Sequence, residues 1–172
     1  MKNIISEKEG KMEKPNKSKY ESYKYAFNLL NNAINEKSLP LCIASIAIIE
    51  SIISDRCYSY LYKNQINLVL KLEKENKFVN TSRLVSECSK FFKNYNVKIN
   101  RRNGESIETN NLFYELLEWL KIRNKILHSF VKSVPMTPTQ NIEDFINEAI
   151  NSAMKGYNLI ILLKKWDNKN KY

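Results

Sequence analysis

An all-α bundle of four long helices with shorter helical additions is the fold this sequence predicts, and three observations carry that expectation. The 172 residues include only three glycines and four prolines, too little turn material for many short strands. Apolar residues recur at helical spacing, not in strict alternation. A composition of 43% apolar and 27% charged residues is ordinary for a globular chain, and the length suits one domain with one core.

Residues 1–17 are charged and without periodicity, so they read as a mobile tail preceding a helical domain over 18–166, with 167–172 as a basic C-terminal tail. The first helix is expected to begin near Asn16 or Ser18, with Tyr23, Phe27, Leu30 and Ile34 on its apolar face. Pro40 opens the second helix where a missing N–H costs nothing. That helix, LCIASIAIIESIISDRCYSYLY, is apolar nearly all round as far as Ile53 and belongs at the centre of the bundle. Two shorter segments follow, one with Ile66, Val69, Leu70 and Leu72, the other with Leu84, Cys88, Phe91 and Phe92. The stretch VKINRRNGESIETNN reads as a loop or short hairpin. A long helix is expected from about Asn111 to Lys132, ended by SVPMTPTQ, where Pro135 and Pro138 cannot continue it. Asn141 then caps a last helix that buries Ile142, Phe145, Ile146, Ala149, Ala153, Ile160 and Ile161 and tolerates Gly156 at about 1 kcal/mol.

The charge balance is less ordinary. Twenty-eight Lys and Arg against 18 Asp and Glu give a net charge of +10 and a pI near 9.4, which favours a polyanionic partner. Lys98, Arg101, Arg102 and Lys125 are candidate contacts to such a partner, although Lys-rich segments often do no more than solvate helix faces. Cys42, Cys57 and Cys88 fit neither a paired motif nor a zinc spacing and read as reduced, buried thiols of a cytoplasmic protein. No metal or cofactor is implied. The longest apolar run is interrupted by Glu50 and too short to cross a bilayer, so no membrane partner is expected.

The late helix carries the chemistry. Wound at about 100° per residue, it places Leu112, Phe113, Leu116, Leu117, Trp119, Leu120, Ile126, Leu127, Phe130 and Val131 on one broad apolar face. Arg123 falls inside that face, and Asn124 and His128, the only histidine, stack at i, i+4 along its edge. An arginine there is costly unless it is paired or faces a cleft. Two explanations are open. Arg123 pairs with a buried carboxylate such as Glu50, Asn124 caps a backbone group and His128 is a satisfied core-edge residue; or the stripe borders a groove or interface and the three residues line a site. Glu50, Asp55 and Arg56 are supporting candidates, each with a salt-bridge or solvated-face alternative. The tyrosines of CYSYLY suit interior packing better than base stacking.

The segment RNKILH, residues 123–128, resembles the R-x4-6-H signature of the HEPN (higher eukaryotes and prokaryotes nucleotide-binding) superfamily, and the bundle pattern extends the likeness loosely over 18–166. The resemblance implies a metal-independent endoribonuclease acting as a homodimer whose two motifs meet in one cleft, a toxin or anti-phage defence effector with a cognate antitoxin or defence-system partner. It implies that His128 acts as general acid or base, Arg123 stabilises charge on the phosphorane, and Asn124 orients His128 or a phosphate oxygen, leaving a 2',3'-cyclic phosphate. A toxin subgroup extends the motif to R-x4-H-x-Y, with the tyrosine as the site of inactivating nucleotide transfer; here Phe130 stands at that position and has no hydroxyl to modify. The alternative is a non-catalytic helical module that binds RNA, a nucleotide or a protein on the same fold.

Overall fold

A computed structural model describes residues 18–75, 79–94, 98–101, 103–132 and 141–170. They form six α-helices in the order α1 (Ser18–Glu36), α2 (Leu39–Asn64), α3 (Ile66–Glu75), α4 (Thr81–Phe91), α5 (Thr109–Lys132) and α6 (Ile142–Asn170). A 3-10 turn at Phe92–Asn94 follows α4, and a two-stranded hairpin, β1 (Lys98–Asn100) and β2 (Ser106–Glu108), precedes α5. Ile99 pairs with Ile107 across the antiparallel ladder, and both are buried beneath it. The fold is all-α, with α1, α2, α5 and α6 as the long helices.

α2 lies at the centre, packed by α1, α4 and α6, as its nearly continuous apolar surface requires. Its start is set by Ser38, whose hydroxyl accepts from the Leu41 N–H at 3.5 Å, with Pro40 in the first turn. Lys37 makes the turn out of α1 in the left-handed region, at φ 46°. This conformation closes the α1 C-terminus by a bond from Ser38 N–H to Ala33 O at 3.0 Å.

α5 and α6 run antiparallel, pinned at two levels by tryptophans. The Trp166 ring nitrogen donates to Thr109 Oγ1 at 3.1 Å, and the Trp119 ring nitrogen to Ser152 O at 2.8 Å. Gly156 lies against Trp119 so closely that a Cβ there would stand 2.5 Å from the indole carbons. The glycine is therefore a packing requirement, where the sequence suggests only a tolerated weakness. Tyr60, Phe92, Phe113 and Trp166 form a buried aromatic cluster, with Tyr60 and Trp166 centroids 4.9 Å apart. All three cysteines are buried and free.

Several expectations are corrected at the level of faces and ends. On α1, Tyr23 and Leu30 are buried, but Ala26 and Ala33 complete the packed stripe, while Phe27 and Ile34 are 43% and 38% exposed. Ile142, expected in the core, is 74% exposed at the first position of α6. α6 continues through Asn170, past the expected boundary at 166, because Trp166 and Asp167 are buried. Asn141 caps α6 as expected, its side chain accepting from Asp144 N–H at 2.7 Å. The expected tail at 1–17, the SVPMTPTQ segment and Arg102 lie outside the described residues.

Candidate functional site

Arg123 reaches across from α5 to α2 and forms an ion pair with Glu50. Both side chains are largely enclosed, at 15% and 22% exposure. A second guanidinium nitrogen, Nη1, donates to the side-chain oxygen of Asn124. The third, Nε, is buried without an acceptor among the described residues. Burial lowers the Arg123 pKa from its usual value, yet a guanidinium still carries its charge at neutral pH. Glu50 explains how that charge is tolerated inside an apolar stripe, where an unpaired cation would be expelled or would loosen the helix.

Asn124 and His128 both stand on the exposed side of α5. The pattern splits the two sequence-based explanations: Arg123 is paired to Glu50 as the salt-bridge reading expects, but Asn124 serves the guanidinium and not a backbone group. His128 is open to solvent and is not enclosed at a core edge. His128 lies five positions beyond Arg123, which on a helix is a rotation of about 140° and a rise of about 7.5 Å. The guanidinium turns inward against α2, and the imidazole faces out. Phe130, one turn from Ile126 and Leu127, is 39% exposed on the same outward end.

The supporting candidates separate. Arg56 is held in a second, independent cluster: it pairs with Asp167 of α6 at 2.9 Å and lies 5.9 Å from the Tyr23 ring centre. Burial works against its charge there, but Tyr23, Asp167 and Tyr60 together raise its pKa above the ordinary value. Arg56 is six residues from Glu50, on the far side of α2, so it does not join Arg123. Asp55 is exposed beside it and helps line a small pocket with Ser22, Tyr23 and Ser59. The salt-bridge reading thus describes Arg56, as it does the Glu50 contact.

The basic candidates also divide. Arg101 forms an ion pair with Glu115 of α5. Lys125 is exposed on α5, sixteen residues from the hairpin end of that helix, or about 24 Å. Lys98 is joined by residues the sequence reading passed over: Lys169 donates to Lys98 O, and Lys165 donates to Asn100 O at 2.8 Å. The signal is the charge run LKKWDNKNKY, whose end suggests a basic tail because nothing local shows that Trp166 and Asp167 anchor it.

Among the described residues, no group of three or more His, Cys, Asp or Glu side chains is placed to hold a metal ion. No described helix is long and apolar enough to cross a membrane. No protein-family profile, no curated protein and no solved structure matches this chain.

Proposed function

We propose that this chain is a HEPN-type endoribonuclease that acts without a metal and builds its site from two copies. The observation that carries the reading is the Glu50–Arg123–Asn124 arrangement with His128 exposed one turn beyond. A cation of fixed geometry is held in place before substrate arrives, and the single imidazole of the chain faces outward on the same helix. Preorganised positive charge is what a phosphorane needs. An imidazole is the side chain best suited to exchange a proton with a 2'-hydroxyl near neutral pH. The rotation of about 140° between them directs Arg123 and His128 to different sides of α5. A two-fold partner laid along α5 brings the His128 of one copy toward the Arg123 of the other. In this reading Asn124 orients the guanidinium, Glu50 is its anchor, and the +10 charge supplies the sequence-independent grip on RNA. A cytoplasmic toxin or defence effector, controlled by an antitoxin or system partner, is the corresponding biological role; Phe130 offers no hydroxyl for control by nucleotide transfer.

The Glu50 contact also favours a second reading, in which Arg123 is a structural strut and the face of α5 is a non-catalytic binding surface. Incubating the purified protein with RNA in EDTA separates the two. The nuclease reading expects cleavage with 2',3'-cyclic phosphate ends, reduced about 10²- to 10⁴-fold by His128→Ala and strongly by Arg123→Ala. Arg123→Lys controls for folding, since it keeps a cation beside Glu50 but loses the planar fork. Cleavage that survives His128→Ala, or that requires a divalent ion, would rule the mechanism out.

A further inference from the structure

A cleft of about 290 Å³ lies between the hairpin and α6, lined by Arg101, Asn103, Asn158, Ile161, Leu162 and Lys165. Its composition is graded. Arg101 and Lys165 supply positive charge, Asn103 and Asn158 supply neutral donors and acceptors, and Ile161 and Leu162 form an apolar floor. Lys165 spends one N–H on Asn100 O, which orients the ammonium but does not neutralise it, and two donors remain. No carboxylate pairs with Lys165 or Lys169 among the described residues. Arg101 gives part of its five-donor fork to Glu115 and keeps the rest.

We infer that this cleft seats one nucleotide of a single-stranded RNA, its phosphate between Lys165 and Arg101 and its base or ribose over Ile161 and Leu162. The assignment deepens the ribonuclease reading by adding a binding subsite remote from the proposed site of cleavage. Charge without base-specific geometry favours backbone contact, an apolar floor beside it suits an unstacked base, and the two carboxamides can meet base or sugar edges of any sequence. Trp166, beside Lys165, is bonded to Thr109 at the start of α5. The cleft therefore lies roughly 28 Å along the bundle from His128, and a strand engaging both would cross the face between them. The subsite contributes to binding, not to the chemical step.

The test measures binding of a short fluorescein-labelled oligouridylate by anisotropy across a salt series, in a His128→Ala background so that the probe stays intact. Lys165→Gln should weaken binding several-fold and reduce the slope of log affinity against log salt by about 0.7, the value for one lost phosphate contact on a single strand. Asn158→Asp, an exposed position that leaves the hairpin contacts untouched, should weaken it as well, and equally for oligouridylate and oligoadenylate. Lys24→Gln, the same charge change on the exposed side of α1, is the control. Cleft variants that bind like this control overturn the subsite while leaving the cleavage assay to stand by itself. Loss confined to the cleft variants supports the subsite even if the wild-type protein does not cut RNA. Absence of any RNA binding at low salt overturns both.

Discussion

Glu50 and Arg123 hold each other, and removing either leaves the other enclosed and unpaired. Glu50→Ala should cost about 1–3 kcal/mol in stability, the usual penalty for a stranded buried group. Pairing it with Arg123→Met should recover part of that loss, which a double-mutant cycle on urea denaturation reads directly. Coupling indistinguishable from zero would mean that the contact holds nothing in solution. The pairing was legible in the sequence because both residues break an otherwise apolar stripe, and two misfits of opposite sign on neighbouring helices tend to meet. What was not legible is the role of Asn124, since a side chain that turns toward its own neighbour leaves no mark in helical spacing. Gly156 was illegible for a related reason: its partner, Trp119, lies 37 positions away. Gly156→Ala improves helix propensity by about 1 kcal/mol, but the added Cβ overlaps the Trp119 ring. It should lower stability by about 1–3 kcal/mol net, seen as a fall in Tm.

The elements were largely visible, their rotations less so. α1 packs through Ala26 and Ala33, both fully buried, because small residues let its backbone approach α2 closely. Phe27 is thereby carried to the edge, where its ring meets Tyr157 of α6 at 5.5 Å. Periodicity weighted by side-chain size points at the phenylalanine and overlooks the alanines. α2 shows the opposite case, since an element apolar nearly all round has no face to misjudge. Its buried Cys42 thiol yields a pH prediction. Burial pushes Cys42 from 9.0 up to about 12, and burial likewise raises Cys88 and the Tyr60 hydroxyl. The unfolded chain therefore releases these protons before the native one does. The stability they contribute is fully present below pH ~9 and falls as pH rises toward 12, by at most about 1.4 kcal/mol per pH unit for each group. Urea midpoints between pH 8 and 11 should decline, and less steeply in Cys42→Ala; equal slopes would contradict the thiol's share.

At the scale of the molecule, the bundle follows from few turn residues and long apolar periods, whereas the distribution of its charge does not. The excess of +10 gathers in part where α6 folds back on the hairpin, bringing Lys165 and Lys169 to strands more than sixty positions earlier. No local pattern announces that return. The candidate site was legible as a set of residue types at helical spacing. Its division, with Arg123 held inward by Glu50 and His128 left facing out, emerged only from the reach of the Arg123 side chain across to α2. On that division rests the proposal that a competent site takes its arginine from one copy and its histidine from another. The most direct measurement is the initial rate of RNA cleavage in EDTA by Arg123→Lys, by His128→Ala and by their equimolar mixture after subunit exchange. The account predicts that each variant alone is nearly inactive and that the mixture regains a substantial fraction of the wild-type rate. A mixture that forms mixed dimers yet stays as inactive as its components would contradict it.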